Sequence, residues 1–223
     1  MKSKLFRLTM LLIVMFIVTE PGGETPSAWP LEPSAAGKAP NEAAVENAIA
    51  FSVYITEKGD TLETIAGKRQ IYDSPLKWPL IYFLNRDDLM ELGLPQEELP
   101  QTPLPAGITL AYLRADEAQK KMAQVSGMEK RWVVNIISSE NQRDIYQPAI
   151  KLMENGHFAY IAEWSYNGKN WKRLRTGFFK DQQAAAEAGR NIVKALNLQT
   201  FWALEAEWKE VNEHAAFAEF LVP

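Results

Sequence analysis

Residues 51–66 read FSVYITEKGDTLETIA, and the stretch changes its period halfway along. Up to Thr56, Phe51, Val53 and Ile55 alternate with Ser52, Tyr54 and Thr56, the period-2 rhythm of a strand. Beyond Thr61, Leu62, Ile65 and Ala66 recur at the spacing of one helix face. The join is Glu57-Lys58-Gly59, a turn in which glycine supplies a positive φ, and Asp60 is placed to cap the helix with Glu63 as its capping-box partner. The helix is predicted to stop near Gly67. A strand passing through a tight turn into a short helix is the seed of a small α+β unit.

Working outward, Leu76, Leu80, Ile81 and Leu84 predict a second helix over Pro75 to Arg86, with Pro79 tolerable only in its first turn. Asp87 to Pro105 holds four prolines and several acids and reads as a long loop. Pro105-Ala106-Gly107 then turns into a strand, Ile108 to Leu113, which closes a βααβ order over residues 51–115. Trp78 and Tyr82, at i and i+4, read as packing partners on one helix face, and Asn85 as a loop organiser.

The Lys58-Gly59-Asp60-Thr61-Leu62 turn with Ile65-Ala66, preceded by Val53 and followed by Trp78, Ile81 and Asn85, resembles a LysM domain. That family consists of small βααβ units that bind N-acetylglucosamine-containing glycans, usually peptidoglycan in bacteria. The resemblance implies a shallow groove lined by Gly59, Asp60, Thr61 and Leu62 on one loop and by Ala106 and Gly107 on the other, where fixed backbone groups pair with acetamido and hydroxyl groups. The segment before the final turn is longer than is usual in the family, and Ala106 stands at a departure from its common turn. A purely structural reading, in which Gly59 supplies the turn and Asp60 the cap, accounts for part of the same residues.

Residues 116–129 are charged and form a linker that can be helical. From residue 130 the predicted order is a strand Trp132 to Ile137, a helix from about Ile145 to Asn155 and a strand Phe158 to Trp164. An Asn167-Gly168 hairpin turn, a strand Trp171 to Thr176, a helix Asp181 to Leu196 and a strand Thr200 to Leu204 complete it. This βαββαβ order implies a ferredoxin-like or RNP-like sandwich, a four-stranded antiparallel sheet with helices on one face. The expected whole is therefore α+β, a βααβ module and a βαββαβ module joined by linkers. Residues 206–223 form an acidic, aromatic-containing tail able to close as a helix.

Trp132-Val133-Val134-Asn135-Ile136 and Trp171 to Phe179 look like a SPOR domain, a family of septal peptidoglycan-binding modules that recognise glycan strands stripped of stem peptides. Asn135, Ile137, Ser138, Thr176 and Phe178 depart from the residues more usual in that family. Alternation sets Val134 and Ile136 against Val133, Asn135 and Ile137, and Leu174 and Thr176 against Trp171, Arg173 and Arg175. With Leu174 and Val134 in the helix-covered core, Asn135, Trp171, Arg173 and Arg175 are expected on an open face, joined by Tyr160, Trp164 and Trp202. Aromatic rings there would stack on sugar C–H surfaces and arginine would pair with the lactyl carboxylate of muramic acid. The competing reading makes the arginines a solvated face and packs the tryptophans under the helices.

Composition agrees with two small units, at 223 residues, 47% hydrophobic and 23% charged. Residues 51–117 hold 6 basic and 11 acidic residues, residues 130–204 hold 11 and 6, so the second unit suits anionic groups better. The absence of cysteine excludes disulfides, thiolate metal sites, thiol nucleophiles and a lipid-modified cysteine. Lys2, Lys4 and Arg7 precede an apolar run from Met10 to Val18, the layout of an export signal over residues 1–20. The run is shorter than the roughly 20 residues that span a bilayer, and both a cleaved signal and a retained anchor place the rest of the chain outside the cytoplasm. Residues 21–50 read as a flexible tether.

His157 and His214 lack neighbouring ligand or nucleophile patterns, and the pairs Asp87-Asp88 and Glu97-Glu98 sit in the Pro-rich stretch. The expected protein is an exported, non-catalytic peptidoglycan binder in the periplasm or on the wall side of the inner membrane, without cofactor or metal. Its expected partners are glycan strands and wall-remodelling or division proteins, not nucleic acid, with membrane contact only through an uncleaved N-terminus. The rival readings are an envelope adaptor of a secretion or pilus complex that binds protein through the second domain, and an accessory factor of wall hydrolysis.

Overall fold

The computed structural model describes residues 51–124 and 131–221, which belong to one compact unit beginning at Asn47. The stretches expected as an export signal and a tether, and part of the 116–129 stretch expected as a linker, lie outside the described residues. In the first half, β1 (Ser52–Ile55) pairs antiparallel with β2 (Thr109–Tyr112), Tyr54 standing opposite Leu110. Between them lie the helix Leu62–Ala66, a 3-10 turn Pro75–Lys77 that runs into the helix Trp78–Leu84, and the helix Arg86–Glu91. A further 3-10 stretch, Gln96–Gln101, completes the connection. The segment expected as a loop thus carries two helical pieces. Leu89 and Leu99 explain why, since each is fully buried and anchors its piece to the core.

One detail of the opening stretch differs from expectation. Thr61, not Asp60, caps the helix: its Oγ1 accepts from Thr64 N at 3.1 Å while Thr64 Oγ1 accepts from Thr61 N at 2.8 Å. Asp60 is taken up instead by the preceding turn, accepting from Tyr54 Oη at 2.6 Å and Glu57 N at 2.8 Å. The strand also turns its apolar side outward, leaving Phe51 45%, Val53 65% and Ile55 61% exposed. Its other side is committed by Tyr54, through Asp60, and by buried Thr56, whose Oγ1 donates to Pro105 O at 2.7 Å and accepts from Ile108 N at 2.9 Å.

The second half contains β3 (Trp132–Ser139), the helix Arg143–Glu154, β4 (Tyr160–Tyr166), β5 (Lys169–Phe179), the helix Gln182–Leu196 and β6 (Trp202–Glu205). Their order is βαββαβ, and the strands pair antiparallel as β4-β5-β3-β6. Asn167 and Gly168, both at positive φ, turn the β4-β5 hairpin. Asp181 caps the second helix by accepting from Ala184 N at 2.7 Å. A bulge in β3 between Asn135 and Ile137 sets Asn135 opposite Arg175 but Ile137 opposite Leu174. Ile137 therefore does not share a face with Asn135, contrary to strict alternation. The chain is of mixed α+β class, with two small antiparallel sheets.

The two halves share a core. Trp78 meets Tyr146 edge-on at 5.9 Å between ring centroids, and Phe83 meets Phe158 at 6.4 Å. Glu63 accepts from Tyr146 Oη at 2.5 Å and also from Gln142 Nε2, while Arg86 Nη1 donates to Met153 O at 3.1 Å. The helix Ala115–Gln124 occupies the stretch read as a linker and packs against the last helix, Ala216–Leu221. That helix ends a C-terminal segment made of Trp208–Glu210, the π-helical turn Val211–Ala215 and Ala216–Leu221. Val211, Ala215, Ala216, Phe217 and Leu221 are buried, and Phe217 meets Tyr72 edge-on at 5.7 Å. Among the described residues, no helix is long and apolar enough to cross a membrane.

Candidate functional site

The first half brings its two predicted loops together. Leu104 N donates to Asp60 O at 2.8 Å, Gly107 N to Thr56 O at 2.8 Å, and Thr56 N to Ile108 O at 2.8 Å, so main-chain bonds fix the 57–61 turn beside the 104–108 turn. Gly59 at φ +90° and Gly107 at φ +88° mark the two tips, both exposed, with nothing within 4 Å of an added Cβ. These conformations are ones that side chains other than glycine adopt at a cost. Ala106 is exposed and Thr61 half-buried. Leu62 is fully buried and serves the core rather than the groove.

Beneath the Gly59 tip lies a small polar network. Besides Tyr54 and Glu57, Asp60 holds Lys68 Nζ at 3.2 Å, and Lys68 also lies 5.1 Å from the Tyr54 ring. Burial works to raise the Asp60 pKa, but the hydrogen bonds from Tyr54, the Glu57 amide and Lys68 outweigh it and hold the carboxyl below its ordinary range. The turn is therefore rigid and its carboxylate satisfied. Behind it Asn85 bridges helix and strand, donating to Ile81 O at 2.7 Å and Ala111 O at 2.8 Å and accepting from Ala111 N at 2.7 Å. Trp78 and Tyr82 pack edge-on at 6.4 Å in the core.

On the second sheet, Tyr160, Arg175, Asn135 and Trp202 stand opposite one another across β4, β5, β3 and β6 in one continuous row. These residues, expected on one face of the sheet, do share it. The openness expected of it is missing. Asn135, Tyr160, Arg173 and Arg175 are all buried, Arg175 to 1% exposure, because the C-terminal segment lies over them. Arg175 Nη1 meets Glu210 Oε2 at 2.5 Å, Tyr160 Oη meets Glu210 Oε1 at 3.3 Å, and the His214 ring stacks on Tyr160 with centroids 4.5 Å apart. Burial pushes the Tyr160 phenol up and the Arg173 guanidinium down from their ordinary values. Arg173 reaches Glu207 at 3.3 Å.

The part of this face left in solvent is aromatic. Trp164 (38% exposed) and Tyr166 (56%) stack at 5.0 Å with an interplanar angle of 5°, and Trp171 stands across from Trp164. Arg173 lies 5.3 Å from the Trp164 ring and Lys169 Nζ 5.9 Å from the Trp171 ring. Trp202, at the opposite end of the row, is 56% exposed.

Glu207, Glu210 and His214 were missed as participants. The signal for them was present: Val211 with Ala215 and Phe217 with Leu221 repeat at i and i+4, and Glu207 stands three residues ahead of Glu210, which closes a capping box. The catalytic candidates do not converge. Asp87, Asp88, Glu97 and Glu98 are exposed, and among the described residues no three His, Asp or Glu side chains are grouped to hold a metal ion. No family model, curated protein or solved structure matches this chain.

Proposed function

We propose that this chain is a non-catalytic peptidoglycan-binding protein of the bacterial envelope, built from a LysM-like βααβ module and a SPOR-like βαββαβ module. The observation that carries the reading is the pairing of the 57–61 and 104–108 turns by main-chain bonds, with both tips exposed. Acetamido and hydroxyl groups of N-acetylglucosamine need fixed donors and acceptors that cost little ordering entropy, and two tied turns supply them. The exposed Trp164 and Tyr166 and the half-buried Trp171 on the second sheet add ring faces for sugar stacking beside two cations. Two weak contacts carried by one body gain avidity on a polymer.

Co-sedimentation with purified sacculi, untreated and amidase-treated, tests the reading. Pelleting with at least one preparation is expected, and a chain that stays in the supernatant with both refutes it. One observation favours an envelope adaptor as a second reading: the exposed Phe51, Val53 and Ile55 on an edge strand suit a protein partner.

A further inference from the structure

The contacts between the C-terminal segment and the second sheet have an unusual chemistry for a mere cover. A buried arginine faces a buried carboxylate, Arg175 on Glu210, and Tyr160 adds a hydroxyl donor to the same carboxylate. Apolar residues of similar volume commonly hold such an interface at least as well as a desolvated ion pair, so stability alone does not account for it. Next to the pair, an imidazole lies on the Tyr160 ring at 26° to it. Nδ1 of that imidazole and Nε of Arg173 are buried, with no hydrogen-bond partner among the described residues. The histidine sits in the π-helical turn Val211–Ala215, an irregularity that tends to accompany functional sites. A cavity of about 70 Å³ remains at the same place, with Arg173, Glu207, Glu210, His214 and Lys77 in its lining.

A carboxylate on an arginine beside a flat ring on a tyrosine is the recognition pattern for a carboxylate-bearing pyranose. We infer that the C-terminal segment is an internal ligand: the Glu210 carboxylate and the His214 ring hold the places of the carboxylate and ring of a carboxylated sugar, so that Tyr160, Arg175 and Asn135 form a closed site that opens when the segment leaves. This rests on the glycan-binding reading of the second sheet. The exposed Trp202 at one end of the row and the exposed Trp164, four residues along β4 from Tyr160 at the other, give a long strand a place to dock while the centre is still occupied. Because segment and sugar compete for one row, apparent affinity falls by the fraction of closed molecules, and a weaker segment raises it.

The test uses the full chain, with amidase-treated, peptide-free sacculi as probe. A Glu210→Gln, His214→Ala variant is expected to bind this probe at least tenfold more tightly than wild type, and adding Arg175→Gln to remove that gain. Equal binding by wild type and a folded double variant overturns the inference. Should the variant fail to fold, hydrogen exchange on wild type decides. Residues 208–221 are expected to exchange faster when the probe is added, and unchanged or slower exchange overturns it. Untreated sacculi separate the two proposals: wild type that fails to pellet with them counts against the groove formed by the 57–61 and 104–108 turns, whereas absence of a gain in the double variant counts against the internal ligand alone.

Discussion

Protonating His214 should loosen the chain, by an amount that follows from where the ring sits. His214 is buried against Tyr160, and burial, aided by the charges of Lys77 and Lys209, lowers its pKa from 6.5 to about 3. Glu213, 3.8 Å from Nε2, favours the charged form, but it is half in solvent and burial wins. Glu163, Arg173, Glu207 and Glu210 line the same cavity as the ring, and the Glu210 carboxylate is already claimed by Arg175 and Tyr160. Above pH 6.5 the imidazole is neutral in both folded and unfolded chains, and its contribution to stability is complete. As pH falls below 6.5 the unfolded chain binds a proton that the folded chain refuses until about pH 3, so stability is lost across that window. At pH 5 the loss comes to about 2 kcal/mol, at 1.36 kcal/mol per pH decade.

Urea unfolding at pH 7.5 and pH 5.0, on wild type and on His214→Phe, measures it. Phenylalanine keeps a ring on Tyr160 and removes the titration. Asp60 and His157 titrate alike in both chains, so the difference between them isolates His214. Wild type is expected to lose about 2 kcal/mol more than the variant between the two pH values. A difference below about 0.5 kcal/mol would refute the reasoning, because it would mean that the ring is solvated or charged in the folded state.

Three single variants and one double variant probe the packing. Gly189→Ala puts a Cβ 2.2 Å from the Phe201 ring; it should cost about 1–3 kcal/mol by overpacking, and an unchanged melting temperature would contradict the helix-to-ring contact. Asn85→Ala leaves the Ala111 amide without its side-chain acceptor; a loss of about 1–3 kcal/mol is expected in denaturant unfolding, and none if water reaches that amide freely. Glu210→Ala strands a buried guanidinium and should cost about 3–5 kcal/mol, whereas Arg175→Met with Glu210→Leu should recover most of it; equal losses in the single and double variants would contradict the pairing.

Much of the backbone was legible because its signals are local. The change of period at Thr56 and Leu62, the Asn167-Gly168 turn and the helical run from Asp181 to Leu196 each mark one element using nearby residues, and each element formed close to its expected bounds. Burial decided what local signals could not. Phe51, Val53 and Ile55 look like a core face, yet Tyr54 and Thr56 hold the inner side through hydrogen bonds to residues up to 52 positions away. Asp60 has the makings of a cap, but Tyr54, Glu57 and Lys68 compete for its carboxylate. Pairing of Asn135 with Arg175 follows from strand order, while the burial of both depends on a segment about 35 residues further along that reads in the sequence as an acidic tail able to close as a helix, with nothing local to say what it covers.

The central claim is that sugar is held by the backbone of two tied turns, and an amide NMR titration of the full chain with an N-acetylglucosamine oligomer tests it most directly. The amides of Gly59, Asp60, Thr61, Ala106 and Gly107 are expected to shift together and saturably, and Ala106→Gln, which places a long side chain on the exposed rim, to weaken the effect about tenfold. Absence of shifts at these amides, or shifts confined to the Phe51, Val53 and Ile55 face, would contradict it.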